Sequence, residues 1–286
     1  MKRLDFIKKA MLGLAALPAG AALAEESKTN PLQAPVGFEH LPKTGKEHYM
    51  KTTLHASDSR GYANHGWLES RHTFSFANYY NQDRVHFGAL RVLNDDIVQG
   101  GMGFGTHPHD NMEIISIPLD GDLEHKDSTG RHKVIRQNDV QIMSAGKGIM
   151  HSEYNHNQDR LVNFLQIWVF PKKRNIEPRY DQKTFLAKDR INTFQTVVAP
   201  DDEQAIWINQ DAWFSLGTLK AGFDGEYKLH KSGSGIYAFL IEGEAEVAGQ
   251  KLSRRDGLTI EDAATLQVKA SKDSELLLIE VPMEVE

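Results

Sequence analysis

From about Thr52 onward the chain is a succession of short apolar or alternating runs, cut by Gly, Asn and Asp. In the first half, residues 87–93, 113–119, 140–143 and 161–170 have strand length. In the second half, residues 213–220, 235–241, 258–260, 265–268 and 275–281 do the same. The interruptions are turn-forming: Asn94-Asp95-Asp96, Asp120-Gly121-Asp122, Ser128-Thr129-Gly130, Glu242-Gly243-Glu244 and Ala248-Gly249-Gln250. Many short strands at this spacing predict an all-β sandwich or barrel. Two blocks of similar length and pattern predict two antiparallel β-barrel domains, over residues 51–180 and 191–286. The break over 178–192 has some helical character near 185–190. Residues 25–50 are polar, carry Pro31, Pro35 and Pro42, and predict an extended linker.

Composition narrows the chemistry. The 286 residues include no cysteine, so disulfides, thiolate metal sites and a Cys nucleophile are excluded. Any metal must be held by nitrogen and oxygen. The net charge is −6, with no long basic run, so no nucleic-acid partner is expected.

The N-terminus reads as an export signal over residues 1–24. Lys2, Arg3, Lys8 and Lys9 precede the small apolar run 10–22, and Ala22-Leu23-Ala24 is a cleavage signature. The run is shorter than the ~20 residues that span a bilayer, so no stable membrane insertion is expected. Arg3 is followed by Leu4 where a twin-arginine signal has a second arginine. An exported, periplasmic protein is therefore expected, with the route open between Sec and twin-arginine.

Two short pairs carry the candidate chemistry: His107-Pro108-His109 and His151-Ser152-Glu153. An i, i+2 spacing on a strand puts both side chains on one face, roughly 7 Å apart. A lone strand histidine is ordinarily a satisfied polar residue. Two such pairs on neighbouring strands instead converge three imidazoles and a carboxylate, a donor set for a divalent transition metal. The second block has only His230 and no equivalent pair, so His230 reads as structural.

These motifs carry a resemblance. Gly101-x5-His107-x-His109-x3-Glu113, with Gly121 following, resembles the first motif of the cupin superfamily, and Gly148-x2-His151-x3-Asn155 the second. More narrowly, His65-Gly66-Trp67-Leu68-Glu69-Ser70, His72-Thr73-Phe74-Ser75-Phe76, Phe104-Gly105-Thr106-His107-Pro108-His109 and His151-Ser152-Glu153-Tyr154-Asn155 resemble the pirin family. The resemblance covers about residues 52–281. It implies a bicupin fold of two jelly-roll domains with one metal per chain in the first. It implies His107, His109, His151 and Glu153 as ligands, whereas many cupins use the carboxylate that is Glu113 here. Glu113 is then a pocket, supporting or structural residue.

The resemblance also implies a quercetin 2,3-dioxygenase-like oxidoreductase acting on a flavonol-like chelating substrate and O2. Iron(II) is the first expectation for the metal, with manganese, nickel, copper or zinc as alternatives. Glu153, or else Glu113, is the expected proton acceptor. The competing expectation is a non-catalytic, metal- or redox-sensing binding protein. Asn155, Asp110 and His125 are candidates to orient the histidines. Gln166, between Phe164 and Trp168, reads as an interior glutamine bonded to backbone, with a pocket-facing role as the alternative. Trp67, Phe74 and Phe76 read as core. The sequence leaves the oligomeric state open.

Overall fold

The strand Val162–Val169 shows how the molecule is layered. Leu165, Ile167 and Val169 point to one side and join a large apolar cluster. Phe164 and Trp168 point to the other side and join two different clusters. Both faces of this strand are covered, which explains its nearly continuous apolar sequence. The structure, a computed structural model, describes residues 50–285. The expected export signal (1–24) and all of the expected linker except Met50 lie outside the described residues.

The described residues form strands and two short 3-10 turns, Ser57–Ser59 and Ala187–Arg190, with no α-helix among them. They build four sheets stacked as outer, inner, inner and outer layers. The first unit's inner sheet runs Arg179–Thr184, Asp139–Ser144, Glu113–Asp120, Val162–Val169, Leu90–Val98, Leu68–His72, Gly61–Asn64. Its outer sheet runs Gly103–His109, Ile149–Asn155, Leu123–Asp127, His132–Ile135. The second unit repeats the plan with seven inner and four outer strands. Pairing is antiparallel apart from Phe194–Ala199 with Ile206–Trp207 and an isolated bridge between Ile191 and Thr218.

The two inner sheets pack back to back. Ile115, Ile142, Leu165 and Ile167 of the first meet Phe214, Tyr237, Phe239, Leu277 and Ile279 of the second. Each fully buried side chain of this size contributes about 1.5–3 kcal/mol, so this seam is the main adhesive between the units. Each outer sheet covers the far face of its inner sheet through a separate cluster. The all-β bicupin expectation therefore holds in its jelly-roll form. The sheets face one another without closing into hydrogen-bonded barrels.

Three local expectations change. Asn94-Asp95-Asp96 is the middle of the strand Leu90–Val98, not a turn. Its polar side chains have buried partners: Asp96 accepts from Ser70 Oγ, and Asp95 lies 3.6 Å from Arg60 and 3.4 Å from Arg255. Residues 179–184, inside the expected break, form a strand on the first inner sheet, and the helical character shrinks to the single turn Ala187–Arg190. Lys51–His55, at the head of the span expected for the first domain, pairs with Gly257–Glu261 of the second unit.

Candidate metal centre

The strands Gly103–His109 and Ile149–Asn155 are antiparallel neighbours, with His151 directly opposite His107. One residue further the register slips, so that Glu153 faces Phe104. This bulge re-aims the carboxylate relative to the imidazoles. Gly103 permits the close approach: a Cβ there would sit 2.2 Å from the Glu153 carbonyl oxygen. The i, i+2 pattern works as expected, since His107, His109, His151 and Glu153 are all buried while Pro108 is exposed and Ser152 half-buried.

The donor atoms of His107, His109 and His151 lie within 4.8 Å of one another. Their rings meet edge to face, with centroids 4.4–4.9 Å apart. A second group, His125, His151 and Glu153, is equally close, so His151 belongs to both. Glu153 is held from two sides. Ser116 Oγ donates to Oε1 at 3.1 Å, and Gln166 Nε2 donates to Oε2 at 2.7 Å. Gln166 is thus a donor to the carboxylate rather than a backbone-bonded interior residue.

Hydrogen bonds set the ring tautomers. His107 Nδ1 donates to the Gly105 carbonyl at 2.8 Å, leaving Nε2 its lone pair. Asp127 Oδ2 accepts from His125 Nε2 at 2.9 Å, which makes His125 Nδ1 the acceptor. That nitrogen lies 3.5 Å from His151 Nδ1, so His151 carries its proton there. His151 Nε2 is buried and has no hydrogen-bond partner. Burial alone would raise the Asp127 carboxyl, but donors from Thr129, His125 and the Arg131 amide hold it below its ordinary range. Burial, followed by the neighbouring His107, pushes His109 down to about 3. Burial and the flanking histidines also hold His151 well below its ordinary value. These two imidazoles are therefore neutral, as metal coordination requires. An unpartnered buried nitrogen, neutral rings and an adjacent anchored carboxylate fit a divalent transition metal.

The cluster opens on a narrow, solvent-connected pocket. Leu68, Phe76, Phe104 and Trp168 supply its apolar walls. Trp168 meets His109 edge to face at 4.9 Å and Phe76 at 5.4 Å. Phe76 is thus a pocket wall, whereas Phe74 is in the central core and Trp67 packs on Phe104. Phe76 packs against a small core cluster as expected and also walls the pocket, because the strand carrying His72 ends before it and the chain folds back at Tyr79.

Other candidates fall elsewhere. Glu113 is fully buried and accepts from Ser144 Oγ at 2.7 Å and from the Asn209 amide at 3.2 Å. Burial raises its carboxyl, and Oε1 has no partner, but Glu113 does not line the pocket. Asn155 secures a loop by donating to the Val98 and Arg160 carbonyls. Asp110 is exposed. His230 stacks on Trp213 and bonds to Glu280 in the second unit.

Several pocket residues escaped the sequence reading. Ser70, His72, Asn94 and Asp96 line the pocket, Ser116 reaches it only through its bond to Glu153, and all five are polar positions on strands of the inner sheet. In register, Gln141 faces Ser116, Ser116 faces Gln166, Gln166 faces Asn94, and Asn94 faces His72. A polar row thus crosses the middle of an otherwise apolar sheet. Asp96 is fully desolvated, which pushes its carboxyl up to about 7 against the opposing bond from Ser70. The signal was present as polar residues interrupting apolar runs, but the register that aligns them is not local.

Comparison with known proteins identifies the family. Residues 53–169 match the family described as Pirin, and residues 196–281 match the Quercetinase C-terminal cupin domain. The Escherichia coli K12 protein named quercetin 2,3-dioxygenase is 40% identical over 232 residues, covering 80% of this chain and 98% of that one. A pirin-like protein of Caulobacter vibrioides is 42% identical over 225 residues, covering 78% of this chain and 96% of its own. The solved nickel(II) complex of the E. coli bacterial pirin YhhW has a TM-score of 0.78 and 38% identity, over 82% of this chain and 100% of that one. Similar in sequence over nearly the full length of these relatives, and folded in the same way, the chain belongs to the pirin family.

Proposed function

We propose that this protein is a metal-dependent dioxygenase that opens the heterocycle of a flavonol such as quercetin with O2. The observation that carries the reading is three converging histidines beside an anchored Glu153, next to a pocket walled on its apolar sides by Leu68, Phe76, Phe104 and Trp168. The name of the E. coli relative, quercetin 2,3-dioxygenase, supports it. In this reading His107, His109, His151 and Glu153 hold one divalent metal, iron(II) first and manganese, nickel, copper or zinc as alternatives. When bound, the metal supplies Lewis-acid and template chemistry for a chelating hydroxy-ketone.

The protein's own groups do the rest. Gly105 and His125 keep the Nδ1 protons of His107 and His151 turned away from the pocket. Glu153 takes the proton of the flavonol hydroxyl, with Ser116 and Gln166 steadying the carboxylate. Phe76, Phe104 and Trp168 bracket a planar ring system and exclude water. The net reaction places both atoms of O2 in the opened product and expels one ring carbon as carbon monoxide. Glu113, held between Ser144 and Asn209, has a structural role.

The N-terminal pattern supports export, with the first cupin unit (51–180) carrying the site and the second (191–286) supporting it. N-terminal sequencing of the mature protein tests export: a start other than Glu25 overturns it. Elemental analysis followed by aerobic incubation with quercetin tests the activity. The expected result is loss of the flavonol with release of carbon monoxide. No turnover with iron, manganese, nickel or copper refutes it.

A further inference from the structure

The polar row across the inner sheet is only half engaged. Ser116 and Gln166 are taken up by Glu153. The next two members are not. Both ring nitrogens of His72 and the Oδ1 of Asn94 are buried without any partner in the protein. Each side chain is 2% exposed, and both line the pocket. Orphaned buried polar atoms are rare, and each calls for a partner.

Register gives the spacing. Gln166, Asn94 and His72 occupy facing positions on three successive strands. Neighbouring strands lie about 4.8 Å apart, so His72 is roughly 10 Å across the sheet from Gln166. Two residues along the same two strands, Ser70 and Asp96 face each other, hydrogen-bonded, and also line the pocket. The apolar walls Leu68 and Phe76 flank this end, and the Phe76 ring meets His72 edge to face at 5.2 Å.

We propose that His72 and Asn94 form a hydroxyl-recognising subsite that binds the distal ring of a planar phenolic ligand whose other end is held at the histidine cluster. The inference rests on the dioxygenase reading for the chelating end, and adds the substrate class: a polyphenol with hydroxyls remote from its chelating pair. The chemistry matches. Burial, with the charges of His65 and Arg60, pushes His72 down to about 4, so the ring is neutral and offers one donor and one acceptor. Asn94 Oδ1 adds a second acceptor. A phenolic hydroxyl both donates and accepts, and a pair of them engages all three atoms. A purely apolar ligand would leave them unpaired, which is how a buried polar site rejects it.

The test is binding, measured by fluorescence quenching under argon so that no turnover occurs. The probes are quercetin and galangin, the same flavonol without hydroxyls on its pendant ring. The expected result is that metal-loaded wild type prefers quercetin by about tenfold or more, as two neutral hydrogen bonds allow. His72→Phe and Asn94→Leu should bring quercetin down to the galangin level while metal content and galangin affinity are retained. A conservative His72→Gln should restore part of the preference. If the variants keep the preference, or weaken both ligands equally, the subsite is refuted and the dioxygenase reading stands. If wild type binds neither flavonol, both readings fall.

Discussion

Gln166→Leu isolates the contribution of one hydrogen bond to the site. The substitution keeps a side chain of similar size on a fully covered strand but removes the 2.7 Å donor to Glu153 Oε2. Ser116 Oγ, at 3.1 Å from Oε1, then remains as the carboxylate's side-chain donor. A hydrogen bond to a charged group contributes about 1.5–3 kcal/mol. At about 1.36 kcal/mol per tenfold, a carboxylate that loses this bond before it meets a metal should bind the metal about 10- to 100-fold more weakly. That is the range expected for groups that orient ligands. Competition titration against a chromogenic chelator measures the affinity, and a thermal melt of the metal-free protein checks folding. A folded variant with wild-type metal affinity would refute the idea that Gln166 orders Glu153.

The two candidate carboxylates should separate cleanly: Glu153→Gln and His107→Ala should lose bound metal by elemental analysis. Glu113→Gln should keep full occupancy, because Glu113 lies outside the pocket; loss of metal there would overturn its structural role. Gly103→Ala should force the two histidine-bearing strands apart, costing about 1–3 kcal/mol in denaturant melts and weakening metal binding. Gly105→Ala, whose added Cβ meets only the Tyr154 hydroxyl at 3.8 Å, should be mild; equal behaviour of the two variants sinks this account. His55, bonded to the Tyr237 hydroxyl at 3.2 Å, is pushed down to about 4 by burial and then by Arg84. Its stabilising contribution is complete above pH 6.5 and is lost as pH falls toward 4. From pH 7 to pH 5 this amounts to about 2 kcal/mol. Urea melts of wild type and His55→Phe should differ by that extra loss, and equal losses would refute the assignment.

The sequence by itself determined the local features. Alternating runs and turn chemistry specified two all-β units, because side-chain period and turn conformation are properties of neighbouring residues. The pairs at 107–109 and 151–153 were legible for the same reason: an i, i+2 spacing places two side chains on one strand face wherever that strand lies. Tertiary structure decided what those faces meet. Asn94-Asp95-Asp96 looked like a turn until Arg60, Arg255 and Ser70, distant in sequence, supplied buried partners. Gln166 looked structural until register placed it beside Ser116 and under Glu153. Lys51–His55 joined the second unit through pairing more than 200 residues away. A polar residue in an apolar run is ambiguous in one dimension, because its cost or use depends on which atoms lie across the sheet. The row from Gln141 to His72 exists only as strand register, and that register brings Gln166, Asn94 and His72 into the pocket beside His107 and His109.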